Sequence, residues 1–265
     1  MTTFEKRIQE IINDQAHGSS TLASKIVQAL SGYGGEQPDR QQLKWALKSL
    51  RQVDKSMVVV HHLLDELEAR GYKAVPETLE HYDQQWRDID QKLASHLLRQ
   101  RNWDSSQILT HSHSGVLLSV ICRLHEFSPS IEVWQTLSAP GGEGRLQYQA
   151  LQREGIQSHL VTDEQALARA PDMDAALFGV DQYNDQALVN KRGTGVLADA
   201  MLTAGKPVFV LGDSRKRVDR LSWTSDLFES VPFREGIYLV TETGLLPAFI
   251  TSSQPALSLK IGKRH

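Results

Sequence analysis

The chain has 265 residues, 40% of them hydrophobic, enough to bury a real core in one large domain or two modest ones. Its formal charge of −3 leaves no basic excess to track a phosphate backbone, so nucleic acid is not expected as a partner. The single cysteine, Cys122, excludes an internal disulfide and any zinc site built on cysteines, and no run approaches the roughly 18 apolar residues of a membrane span. The opening MTTFEKRIQEIIND is amphipathic rather than signal-like, so a cytoplasmic protein with no membrane partner is expected.

In chain order, spacings of three and four at Ile8, Ile11 and Ile12, then at Leu22, Ile26, Val27 and Leu30, predict two helices. Between them His17, Gly18, Ser19 and Ser20 form a loop in which Gly18 allows an unusual backbone and Ser19, Ser20 or Thr21 can cap the second helix. Such a loop is either a plain cap or an anion cradle. SGYGG at 31–35 closes the second helix. A third is predicted from Arg40 to Arg70, ended by Gly71, and a further long one after Pro76 through Leu79, Trp86, Ile89, Leu93 and Leu97. His61, His62, His81 and His96 lie in these helices without a metal-binding spacing, and no metal site is read there.

Past Ser105 the pattern changes to short apolar strands alternating with helices. Strands are predicted at Gln107–Thr110, Ser130–Gln135, Ser158–Thr162, Ala175–Gly179, Val208–Leu211 and Gly236–Thr241, with helices near 115–126, 144–154, 163–169 and 194–204. Repeated βα units of this kind imply an α/β fold: a helical N-terminal domain over 1–103, followed by a right-handed, doubly wound parallel sheet over 104–265. Ligands of such sheets bind beyond the carboxyl ends of the strands, so the turns at 111–115, 136–144, 180–194 and 212–217 are where chemistry is expected.

The turn after the first strand carries His111, Ser112, His113 and Ser114 and leads into a helix start, a place that favours an anion. Ser112 lacks the GxSxG elbow of a serine hydrolase, and His111 with His113 would need a third metal ligand such as Asp181. The next turn, QTLSAPGGEGR at 135–145, contains Gly142 and could wrap a phosphate, but it lacks the GxGxxG spacing of a dinucleotide site, and no cofactor is expected. After the fourth strand, Asp181 is followed by Asn190, Lys191, Gly193 and Thr194. A carboxylate and an amine at one sheet edge make either an acid/base and phosphate-anchoring pair or a capped turn beside a solvated lysine.

HGSSTLA at 17–23, ILTHSHSGVL at 108–117, EGRLQYQALQREGI at 143–156, GVDQYNDQALVNKRGT at 179–194, KPVFVLGDSRK at 206–216, and DLFESVP with VTETGLLP within 226–247 recur in order. The chain thereby resembles the family that joins the 5-methylthioribose-1-phosphate isomerases, the ribose-1,5-bisphosphate isomerases and the α, β and δ regulatory subunits of the exchange factor for eukaryotic translation initiation factor two. The resemblance implies a Rossmann-like sheet of the NagB/RpiA/CoA-transferase-like type, a sugar phosphate held between it and the helical domain, and a homodimer. It also implies a ligand contact by Asn190 and Lys191, and a catalytic aspartate at Asp181.

The family's catalytic cysteine, however, corresponds to Ser112, and a hydroxyl is a far weaker acid than a thiol of pKa about 8.5. His17 and the pair Leu137 and Ser138 likewise replace arginine and arginine-proline, removing fixed charge that would clamp a phosphate. Two functions follow as expectations. One is a regulatory-subunit-like protein that binds a phosphorylated sugar or nucleotide through Asn190, Lys191, the helix start at Ser112 to Gly115 and the HGSS loop of His17, Gly18, Ser19 and Ser20, with Gly142, Gly193 and Thr194 as further ligand contacts. The other is a sugar-phosphate aldose–ketose isomerase whose chemistry is rebuilt on Ser112, His111 or His113 with Asp181.

Overall fold

The computed structural model describes residues 2–14, 18–32 and 37–247. Among the described residues six α-helices precede the first strand: α1 (Thr3–Ile12), α2 (Ser19–Leu30), α3 (Arg40–Leu50), α4 (Val58–Arg70), α5 (Val75–Trp86) and α6 (Ile89–Leu98). The predicted helix from Arg40 to Arg70 is therefore two helices. Asp54 accepts the Ser56 N–H at 2.8 Å, a local turn that competes with helix, and the His61 ring reaches back to the Val53 carbonyl at 3.1 Å. The helix predicted after Pro76 is also two, since Asp88 leaves helical geometry (φ −105°, ψ 31°) and becomes the cap of α6. Gly18, rather than a hydroxyl, caps α2, and Ser19 and Ser20 are its first helical residues.

The sheet comprises β1 (Gln107–His111), β2 (Glu132–Thr136), β3 (Ser158–Val161), β4 (Ala175–Gly179), β7 (Val208–Leu211), β9 (Ile237–Thr241) and β10 (Gly244–Pro247), in the order β10-β9-β7-β4-β1-β2-β3. All neighbours are parallel except β9 and β10. The doubly wound parallel sheet expected from the alternating pattern is thus present. The region from 180 to 194, predicted as a turn, instead contains β5 (Gln182–Tyr183) and β6 (Ala187–Lys191), which join β8 (Phe228–Pro232) in a separate antiparallel sheet.

Among the described residues four further α-helices complete the βα units: α7 (Gly115–Phe127), α8 (Gly144–Arg153), α9 (Asp163–Arg169) and α10 (Thr194–Thr203). Alternate strand residues serve opposite faces. Ile108, Val133 and Leu177 pack under α6, α7 and α8, whereas Leu109, Ala176 and Phe178 pack under α9 and α10. A third core joins α1 to α5, and Trp86 packs against both that core and the sheet core that begins at Ile89.

Because β1 is flanked by β2 on one side and β4 on the other, the chain reverses its winding direction between β1 and β4. The crevice beyond the carboxyl ends of these two strands is where such a sheet holds a ligand. His111 is in register with Phe178, so the turns after His111 and after Gly179 open side by side.

Candidate functional site

The turn after β1 is held by a directed chain of hydrogen bonds. The Arg192 carbonyl can only accept, so the His111 Nε2 that lies 2.9 Å from it carries the ring proton. Nδ1 is then the acceptor and takes the Thr136 hydroxyl at 2.6 Å. Thr136 Oγ1 lies 3.0 Å from Ser138 Oγ, which in turn accepts the backbone N–H of Ser112 at 2.7 Å. Both nitrogens of His111 are thus engaged, and burial pushes its pKa down, which keeps the ring neutral.

Ser112 sits at φ +66°, an uncommon conformation for a residue with a side chain, with its carbonyl bonded by Gln135 Nε2 at 3.1 Å. Its hydroxyl donates to Glu143 Oε1 at 3.0 Å. His113, exposed at the same turn, places Nδ1 2.8 Å from Gln147 Oε1, and Ser114 caps α7 by accepting the Leu117 N–H at 3.3 Å. Gly179 lets this turn lie over the end of β4, since a Cβ there would come within 3.0 Å of the Ser114 side chain.

Opposite this turn, Asp181 anchors its N–H on the Val189 carbonyl at 2.9 Å. Among the described residues its carboxyl group has no hydrogen bond or ion pair. Burial raises its pKa, Glu143 adds to the rise, and the Lys216 and Lys191 ammoniums oppose it. Lys191, 3% exposed at the end of β6, lies 2.7 Å from Glu143 Oε1. Lys216 donates to the Val180 carbonyl at 2.6 Å.

These groups line a cleft of about 740 Å³ between the helical part and the sheet. Gly18, Ser19, Ser20, His111, Ser112, His113, Ser114, Asp181, Asn190 and Lys191 all border it. The starts of α2 and α7 both open into it, and their first N–H groups have no intrahelical acceptor. The Ser20 hydroxyl oxygen is buried there without a partner, whereas Ser19 Oγ accepts the Val59 N–H at 2.8 Å.

Three sequence candidates do not border the cleft: Gly142, Gly193 and Thr194. The Gly193 N–H donates to Glu229 Oε1 at 3.0 Å, as does the Gly195 N–H at 2.8 Å, so a side chain of this protein already occupies the start of α10. Thr194 Oγ1 donates to the Lys191 carbonyl at 2.6 Å and accepts from Asn190 Nδ2 at 3.1 Å. Gly193, at φ +103°, passes so close to His111 that a Cβ would come within 3.0 Å of its ring. His17 lies outside the described residues. No group of three or more metal-ligating side chains is present among the described residues.

Sequence reasoning missed Glu143, Trp86 and Arg215 as parts of the site. Glu143 lies inside a glycine-rich loop, where a single carboxylate carries no spacing signal. Arg215 holds Asp213 through Nε at 2.8 Å and Nη2 at 3.0 Å; burial raises the Asp213 pKa, but the Arg215 guanidinium, with Lys216, outweighs it and leaves the carboxyl below its ordinary value. The SRK of the resemblance was the one available signal for it.

A model of the Initiation factor 2 subunit family matches residues 2–256. A ribose 1,5-bisphosphate isomerase of Archaeoglobus fulgidus is 23% identical over 218 residues, which are 78% of this chain and 70% of that protein. A putative translation initiation factor eIF-2B subunit 2-like protein of Pyrococcus furiosus is 26% identical over 239 residues, 87% of this chain and 86% of its own length. The crystal structure of translation initiation factor eIF-2B from Pyrococcus horikoshii shares the fold, with a TM-score of 0.77 at 22% identity over 93% of this chain and 98% of that one. With the family pattern running through nearly its whole length, the chain belongs to the initiation factor 2 subunit family.

Proposed function

We propose that this protein binds a phosphorylated sugar or nucleotide in the cleft, as a relative of the initiation factor 2B regulatory subunits, without isomerising it. The observation that carries this reading is the convergence of two helix starts, α2 and α7, on one cleft. N–H groups and dipoles at helix starts favour an anion, and the unpartnered Ser20 hydroxyl at the first of them supplies a further donor. Ser112 argues against the standard chemistry, because its hydroxyl is a weak acid and donates to a carboxylate.

One observation favours the second reading, a sugar-phosphate isomerase. Among the described residues the Asp181 carboxyl group has no partner, and burial raises its pKa, a direction that favours its use as a proton carrier for a bound sugar. A panel of pentose phosphates and nucleotides, scored for both thermal stabilisation and ketose formation, separates the two. A ligand present at a hundred times its Kd stabilises the folded state by about 2.7 kcal/mol. Stabilisation without turnover supports binding alone, while turnover that Asp181→Asn abolishes overturns it. A homodimer belongs to the same proposal, and a sedimentation profile that does not change with concentration over the micromolar range and stays at the monomer mass would sink it.

A further inference from the structure

The ammonium of Lys191 is not an open anion site. Glu143 Oε1 lies 2.7 Å from it and also accepts the Ser112 hydroxyl at 3.0 Å, so one carboxylate ties the end of β6 to the turn after β1. Glu143 reaches this position from the loop between β2 and α8, and that loop is pinned. The N–H groups of Ser138 and Ala139 both donate to the Asp163 carboxylate, at 3.0 and 2.9 Å, and the Gly142 N–H donates to the Ser138 carbonyl at 2.9 Å. A Cβ at Gly141 would overlap both the Glu143 carboxylate and the Lys191 ammonium, so the loop backbone is packed directly against the pair. At Gly144 a Cβ would overlap the Thr136 carbonyl oxygen, which fixes the chain immediately after Glu143.

A phosphoryl group approaching Lys191 must also approach Glu143. Like charges at such separations repel, and a dianion has no proton to donate to the carboxylate. A hydroxyl meets both requirements at once: it donates to Glu143 and accepts from Lys191. We infer that Glu143 makes the Lys191 end of the cleft a hydroxyl-reading end, so that the cleft selects sugars with a single phosphoryl group, seated away from Lys191, over sugars phosphorylated at both ends. This rests on the binding reading above and names the ligand class within it.

The test is calorimetric titration of the full chain with ribose 5-phosphate and with ribose 1,5-bisphosphate, in wild type and in Glu143→Gln, which keeps the side-chain size and removes the charge. Wild type is expected to bind the monophosphate at least roughly tenfold more tightly than the bisphosphate, and Glu143→Gln to shift the ratio of the two affinities by roughly tenfold toward the bisphosphate. Wild type that binds the bisphosphate as tightly as the monophosphate overturns the inference and leaves the binding reading standing. An unchanged ratio in a folded Glu143→Gln protein does the same. If wild type binds neither sugar, the reading of the cleft falls and this inference with it. The wild-type comparison needs no substitution, so the inference is decided even if the variant does not fold.

Discussion

The guanidinium carbon of Arg215 lies 4.6 Å from the centre of the Trp86 ring, which joins the turn after β7 to the last turn of α5 across the rim of the cleft. Arg215 is 8% exposed and its partner Asp213 is fully buried. Arg215→Ala therefore leaves a buried carboxylate without its bidentate donor and removes the cation from the aromatic faces of Trp86 and Tyr82. Urea unfolding should show a loss of about 3–5 kcal/mol. The double variant with Asp213→Asn should recover part of it, because the uncompensated charge is then gone.

Asp181→Asn should stabilise the free protein at neutral pH while weakening whatever the cleft does. The sign follows from the raised pKa: the unfolded carboxyl ionises first as pH rises past 3.8, and the folded state carries the full cost once pH exceeds its own, higher pKa. Each unit of upward shift corresponds to about 1.4 kcal/mol. Melting curves of wild type and variant should coincide below pH 3.8 and separate above it; a variant less stable than wild type at pH 7 would refute the account.

His111 predicts a loss of stability on mild acidification. Its pKa is lowered by burial, so below pH 6.5 the unfolded chain takes up a proton that the folded chain refuses, and stability falls as pH falls. The slope from this residue is at most about 1.4 kcal/mol per pH unit. His62 is shifted the same way by burial and works in the same sense, but it is about a third exposed and contributes less. Asp181, whose pKa is raised by burial, works in the opposite sense, so the His111 slope is best followed in the Asp181→Asn protein.

Ser112→Cys tests whether a thiol at the position where the family resemblance places a cysteine confers isomerisation. A thiol in this turn would lie beside the Glu143 carboxylate, which now accepts the Ser112 hydroxyl, and a neighbouring negative charge raises a thiol pKa. The expected result is slow alkylation at pH 7 and no gain of ketose formation. Adding Glu143→Gln should speed alkylation by roughly tenfold, the equivalent of about one pKa unit.

Two glycines of one loop should behave differently. Gly144→Ala sets a methyl group against the Thr136 carbonyl oxygen, which is backbone and cannot yield, so a cost of about 3 kcal/mol or more is expected. Gly141→Ala meets instead the ends of the Glu143 and Lys191 side chains, which can move. It should cost less in a thermal melt but disturb ligand binding more.

Much of the sheet was legible in the chain because its strands are covered on both faces. Ala175–Gly179 and Val208–Leu211 are fully buried, and such strands read as continuous apolar runs between turn signals. The antiparallel sheet was not legible. β5 has two residues, and β6 and β8 carry too short an alternation to stand out against the turn residues around them. The helical breaks at 51–57 and 87–88 were hidden because the apolar periodicity continues across them and only local side-chain bonds and dihedrals interrupt it.

By itself the sequence determined the alternation of strands and helices past Ser105 and the strand-end turns that border the crevice, since each depends on residue type and near-neighbour spacing, while the family's cysteine position at Ser112 came from resemblance. Only the tertiary structure decided which groups in that crevice are available. His111 and Thr194, which read as chemistry, are consumed by Arg192, Thr136, Asn190 and the Lys191 carbonyl. Glu143 and Lys191 stand 48 positions apart in the chain and 2.7 Å apart in space. Pairing of this kind is set by how β2, β6 and the loop before α8 pack against one another, and spacing along the chain carries no record of it.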